Sequence, residues 1–240
     1  MIFNKNKRKT MRKDTEVINK DTPFPYVESF NSLRTNLSFV TRANNAKTLL
    51  ITSALPEEGK STTAINLAIT LAKDGNKVLL IDADLRKPSL QRYLRVRPGA
   101  IQGLTAVLTN QATTKEAIGY YEMLGIDLMM AGTRPPNPAE LIALPKMKEM
   151  VKELEETYDY IIIDAPPAGV ITDAAVLSRI ADGVLLVVRQ NFSTHQDVIK
   201  AKEQLTRVDA KIFGIILNNY NIERDTKDAS AAQYYYYYGE

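Results

Sequence analysis

Three short stretches of this 240-residue chain place phosphate-handling groups at the ends of apolar runs. The first, ALPEEGKST at residues 54–62, follows the spacing G-x-x-x-x-G-K-[ST], with Ala54 in place of the first glycine. It lies between a strand-like LLITS and a helix-like STTAINLAITLA. A turn in that setting points backbone N–H groups from Glu57, Glu58, Gly59, Lys60, Ser61 and Thr62 at phosphates. The Lys60 amine then reaches the β- and γ-phosphates, and the Ser61 hydroxyl reaches Mg²⁺. The second stretch, VLLIDADLR at 78–86, delivers Asp82, Asp84 and Arg86 at the end of an apolar run, and the third, YIIIDAPP at 160–167, delivers Asp164. Taken singly, an aspartate after a strand is an ordinary turn or helix-capping residue. Two of them beside a phosphate loop describe a site for ATP and Mg²⁺, with Ser61, Asp84 and Asp164 as the expected metal-holding groups. Asn218, which ends the apolar run GIILN, offers a donor and an acceptor to an adenine edge or serves as a turn residue.

Such groups need a rigid frame. Apolar runs at 47–52, 78–82, 126–130, 159–163, 183–188 and 212–217 read as strands buried on both faces, and helical patterns separate them. Strand and helix alternation predicts an α/β fold, a mainly parallel sheet flanked by helices, with ligands at the carboxyl ends of the strands. Residues 61–74 are apolar almost all round and stop at Gly75, as a buried helix does. Phe30, Leu33, Leu37 and Val40 form one stripe of an earlier helix, with Glu28, Asn31 and Arg34 on the arc beside it. Met147, Met150, Val151 and Leu154 recur at helical spacing and read as core. His195, the single histidine, follows Thr194 near a helix start and reads as a solvated or capping neighbour.

Composition narrows the classes. The net charge is +3, but the first thirteen residues carry six basic side chains and no acid, so the remainder is near −3. That is no nucleic-acid surface. The absence of cysteine excludes a disulfide framework and a thiolate zinc site, and suits a reducing cytoplasm. No apolar run approaches the roughly 18 to 20 residues of a membrane span. Residues 1–25, basic and punctuated by Pro23 and Pro25, are expected as a flexible arm, either solvated or drawn to anionic lipid. Residues 26–220 form the expected folded domain. Residues 221–240 are an expected flexible tail ending in five consecutive tyrosines, Tyr234, Tyr235, Tyr236, Tyr237 and Tyr238.

The three motifs in this order, with ESFNSLRTN at 28–36, PPNPAEL at 135–141 and the tyrosine tail, resemble the bacterial tyrosine kinases of capsule and exopolysaccharide synthesis. The resemblance runs from about residue 26 to the end and is to the soluble cytoplasmic kinases of Gram-positive bacteria. It implies that Lys60, Asp82, Asp84 and Asp164 are needed for activity, that Tyr234–Tyr238 are autophosphorylated, and that protein tyrosines are the substrates. It also implies a membrane-bound activator, the polysaccharide co-polymerase, which keeps the kinase peripheral to the membrane. A Glu-x-x-Arg-x-x-Arg helix builds a ring of subunits in this family; Glu28 and Arg34 match it here, and Asn31 stands at the middle position. On the expected mechanism Asp82 orients the acceptor hydroxyl and takes its proton, while Arg86 steadies transition-state charge or pairs with a carboxylate. The alternative is a ParA/MinD-like partition or positioning ATPase, but such proteins carry a second lysine five positions before the conserved one, where this chain has Leu55.

Overall fold

The computed structural model describes residues 17–96 and 102–220. The expected acceptors Tyr234–Tyr238 and the basic residues 5–13 lie outside that range. Among the described residues the sheet has seven strands: β1 Thr48–Ser53, β2 Val78–Asp82, β3 Ile118–Tyr121, β4 Ile126–Met129, β5 Tyr160–Asp164, β6 Gly183–Arg189 and β7 Ile212–Asn218. Their order is β3-β4-β2-β5-β1-β6-β7, and every pairing is parallel except β3 with β4. The helices are α1 Phe24–Asn44, α2 Lys60–Lys73, α3 Leu90–Tyr93, α4 Leu104–Leu108, α5 Thr114–Ala117, α6 Pro138–Ile142, α7 Pro145–Leu154, α8 Asp173–Ser178 and α9 His195–Thr206. This is the α/β architecture the alternation predicts.

Side chains alternate across the central strands, so each strand feeds two cores. Leu49, Ile51 and Leu80 face α1 and α2, while Leu50, Leu79 and Ile163 face α7, α8 and α9. Each fully buried leucine or isoleucine contributes roughly 1.5 to 3 kcal/mol. Helix α2 spends nearly all its circumference on this packing, which fixes the phosphate loop at its N-terminus. It closes in a Schellman turn, with Gly75 N–H on the Ala72 carbonyl at 3.0 Å and Asn76 N–H on Leu71 at 3.4 Å. Met147, Met150, Val151 and Leu154 are buried along α7, and exposed His195 is the first residue of α9, between the Thr194 and Asp197 of its capping box.

Four expectations need correction. The folded domain begins before residue 26: Ile18 is buried, and its N–H donates to Asn66 Oδ1 at 2.8 Å. Pro23 and Pro25 start α1 rather than punctuate an arm, because a helix's first turn has no N–H bonds for proline to remove. Strand β3 was not among the six expected; it is a four-residue, half-exposed edge turned back antiparallel to β4 through Gly125. Strand β7 is not buried on both faces, since it lies at the other edge with Ile215 and Leu217 about half exposed.

Candidate active site

Strands β1, β2 and β5 are adjacent in the sheet, so their carboxyl ends bring the three motifs together. The phosphate loop leaves β1 and turns into α2 through two left-handed residues, Glu57 at φ 67° and Gly59 at φ 88°. A side chain at Gly59 would be strained by that φ and would overlap the Asn218 amide. The loop is held from below by groups that do not face the phosphate side. The fully buried Glu58 carboxylate accepts the Leu55 N–H at 2.6 Å, the Arg189 N–H at 3.2 Å and the Ser193 hydroxyl. Three donors satisfy a charge that would otherwise be costly to bury. Asn218 Nδ2 donates to the Glu58 carbonyl at 2.8 Å, and its Oδ1 accepts the Asn219 N–H at 2.9 Å. The Asn218 amide is thus a clamp on the loop, a role distinct from both sequence readings. Thr62 likewise turns its hydroxyl back to the Gly59 carbonyl at 2.8 Å. Helix α2 has no side-chain N-cap, so its dipole and first-turn N–H groups point at the cradle.

Lys60 lies at the centre. Its Nζ is 3.3 Å from Asp84 Oδ2, 3.2 Å from Asp164 Oδ1 and 3.1 Å from Ser61 Oγ. Burial opposes the ammonium charge, yet Asp164, Asp84 and Asp82 outweigh it and hold the Lys60 pKa above its ordinary value. Burial, followed by the Asp164 charge, pushes Asp82 up to about 7, and burial likewise raises Asp164 against the pull of Lys60. Asp82 is anchored by backbone: Oδ2 accepts from Ser89 N at 3.2 Å and Leu90 N at 3.1 Å, and Oδ1 from Asp84 N at 3.2 Å. Ser89 Oγ donates to Ser61 Oγ at 2.8 Å and joins the second motif to the first.

These groups fit Mg²⁺. Asp164 Oδ2 is buried with no hydrogen-bond partner among the described residues, an acceptor left over for a cation. No cluster of three or more histidine, cysteine or acidic side chains suited to holding a metal alone occurs among the described residues. Mg²⁺ suits that arrangement, because it binds through one or two carboxylates plus phosphate oxygens and water.

Sequence reasoning left Arg86 two roles, and the structure gives it the second: its Nε donates to Asp173 Oδ2 at 2.7 Å and its Nη2 to Oδ1 at 3.0 Å. Asp173 was missed because an acid in a helix's first turn reads as an ordinary dipole partner. Ser89 and the inward turn of Glu58 were missed too, with no signal to find them in one sequence. On α1, Asn31 Nδ2 donates to Glu28 Oε2 at 3.0 Å, and Arg34 Nη1 is 2.9 Å from Asp74 Oδ1. Arg34, expected to face a neighbouring subunit, is therefore paired within its own chain. Both side chains are partly exposed, so the pair is weak, about 0 to 1 kcal/mol, and exchangeable.

The segment after Asp164 is bolted to the phosphate loop. Thr52 Oγ1 donates to the Pro166 carbonyl at 2.7 Å, Ala168 N–H to the Ser53 carbonyl at 2.8 Å, and a methyl at Gly169 would overlap the Ala54 carbonyl oxygen. Gly169→Ala is expected to push the two loops apart, costing about 1 to 3 kcal/mol of stability and weakening ADP binding. Urea unfolding and ADP titration of the variant check this; unchanged values in both would disprove the close packing.

A glycine-turned loop opening a buried helix, with two aspartates on its lysine, defines a P-loop nucleotide-binding α/β protein; residues 57–213 match the AAA domain family model. The tyrosine-protein kinase YwqD of Bacillus subtilis is 38% identical over 212 residues, covering 88% of this chain and 86% of that protein. The chain belongs to the family of bacterial tyrosine-protein kinases. The kinase domain of the Escherichia coli tyrosine kinase ETK superposes with a TM-score of 0.79 at 32% identity, covering 85% of this chain and 79% of that one. The chimerical protein CapA2B2 gives 0.76 at 34%, covering 80% and 84%. The septum site-determining protein MinD of Pyrococcus horikoshii shares the fold at a lower score, 0.63 at 29%, covering 79% and 76%. The kinase likeness is the stronger, and Leu55 occupies the place of the partition-type lysine. The protein is a tyrosine-protein kinase.

Proposed function

We propose that this kinase transfers the γ-phosphoryl group of ATP to its own C-terminal tyrosines, Tyr234 to Tyr238, and to other protein tyrosines, and so regulates capsular or exopolysaccharide synthesis. The observation that carries the site assignment is the convergence of Asp84 and Asp164 on Lys60 beside the N-terminus of α2. Lys60 and the first-turn N–H groups hold the phosphates, and Ser61, Asp84 and Asp164 hold Mg²⁺. Bound there, Mg²⁺ neutralises charge on the transferring phosphoryl group. The remaining work is positioning. A tyrosine hydroxyl is neutral at pH 7, so its proton must leave as the oxygen–phosphorus bond forms. Asp82 is the carboxylate we assign to accept that proton; in the metal-free site burial, then the Asp164 charge, raise its pKa to about 7.

An extended chain covers at most about 3.3 to 3.6 Å per residue, so some fifteen residues beyond the domain reach roughly 50 Å. Transfer to a neighbouring subunit is within that reach, and the resemblance favours it. Five phosphates add about −8 to −10 of charge, enough to drive the tail from an aspartate-lined site and loosen the assembly. Among the described residues no helix is long and apolar enough to cross a membrane. The reading places the kinase in the cytoplasm, held at the membrane by its activator, with Glu28, Asn31 and Arg34 on the face between subunits.

Mass spectrometry of the full chain incubated with Mg-ATP and activator tests this. Phosphate is expected on the C-terminal peptide and is expected to vanish when Tyr234 to Tyr238 are all replaced by phenylalanine. Phosphotyrosine confined to other peptides would overturn the tail assignment.

A further inference from the structure

We infer that Asp173 is a positioning residue for phosphoryl transfer: through the Arg86 fork it holds the loop carrying Asp84 against the segment that follows Asp164. The inference rests on the kinase reading of the site. Asp173 opens α8 and is 1% exposed, and both its oxygens go to one guanidinium, at 2.7 and 3.0 Å. The helix dipole explains an acid at that position, but not both oxygens turned onto one arginine.

Placement gives the pair its consequence. Arg86 lies two residues beyond Asp84, whose Oδ2 meets Lys60 and whose Oδ1 accepts the Lys87 N–H at 3.0 Å. Asp173 ends the segment that Thr52, Ser53 and Ala54 fasten to the phosphate loop. Ala83 N–H also donates to the Asp164 carbonyl at 2.9 Å, so the two loops start in register at the sheet. Beyond the sheet, the Arg86–Asp173 fork spans the same two loops. Asp84 and Asp164 must keep a spacing that suits one small cation with strict octahedral demands. A planar fork with two parallel hydrogen bonds fixes distance and angle, which a lysine ammonium does not.

The test uses the full chain, the single variants Arg86→Ala, Arg86→Lys and Asp173→Asn, and the Arg86→Ala/Asp173→Asn double variant, with two readouts independent of turnover. Fluorescent ADP binding is titrated with Mg²⁺, and hydrogen exchange of residues 83–89 is followed in metal-free protein. Loss of a partner that orients metal ligands costs about 10- to 100-fold in metal affinity. Arg86→Ala is expected to raise the Mg²⁺ midpoint about tenfold, to speed exchange at 83–89, and to leave metal-free ADP binding unchanged. Arg86→Lys keeps the charge and is expected to fall between wild type and Arg86→Ala. Combining Arg86→Ala with Asp173→Asn is expected to be no worse than either alone. An unchanged Mg²⁺ midpoint in Arg86→Ala, or additive effects in the double variant, would overturn the inference. Arg86→Lys leaves a cation beside the buried Asp173 carboxylate, so it keeps the test falsifiable if Arg86→Ala or Asp173→Asn fails to fold. Absence of phosphotyrosine in the wild type would defeat the kinase reading instead, while both binding readouts still judge the pair.

Discussion

Lys60→Met is expected to lower tyrosine phosphorylation at least a hundredfold while leaving the protein folded. The magnitude follows from what the side chain does. A preorganised donor facing developing negative charge contributes about 10² to 10³ in rate, and Lys60 is the cation on which Asp84 and Asp164 converge. Removing it also leaves two buried carboxylates without their counter-ion, at 4% and 0% exposure. They then protonate, or recruit a cation more avidly than before. The variant should therefore separate two quantities: phosphate transfer collapses, whereas Mg²⁺ is still taken up. Anti-phosphotyrosine detection beside a Mg²⁺ titration monitored by thermal unfolding makes the comparison. Phosphorylation retained within a few-fold of wild type would place the catalytic cation elsewhere and undo the site.

Much of this site is legible in the sequence because its chemistry is local. The loop and the two aspartate-ended runs each occupy fewer than ten consecutive residues, and the parallel topology alone brings their ends together. What the sequence hides is pairing over distance. Arg86 and Asp173 are 87 positions apart, and Asn218 clamps the Glu58 carbonyl from 160 positions away. Neither pairing leaves a periodicity or a spacing to read. Glu58 is the sharpest case: an acid in a polar loop reads as solvated, yet it is fully buried because Leu55, Arg189 and Ser193 supply donors from below. Strand β3 was hidden for the opposite reason. Four half-exposed residues paired on one side only carry neither a buried run nor a clean alternation.

Metal-free protein is expected to lose stability as the pH rises from about 4 to about 7, and Asp82→Asn is expected to flatten that loss. In the unfolded chain Asp82 ionises near 3.8; in the fold, burial first and then the Asp164 charge raise it to about 7. Below pH 4 the carboxyl is neutral in both states and contributes no pH dependence. Between those values the folded state holds a proton that the unfolded chain has released, so each step up in pH favours unfolding. Above 7 both are ionised, and the fold carries the full burden of one more buried anion. The difference amounts to a few kcal/mol, shared among Asp82, Asp164 and Lys60 because their titrations are linked. Asparagine cannot ionise, and although it weakens one of the three backbone bonds to this position, that cost does not vary with pH. Urea unfolding at pH 5 and pH 8 with chelator present measures the effect as a change in slope between the two proteins. Parallel losses in wild type and variant would mean that Asp82 contributes nothing to the pH dependence between pH 5 and pH 8. The same burial would then give it no special fitness to take a proton from tyrosine near neutrality, and the proton would have to leave by another group.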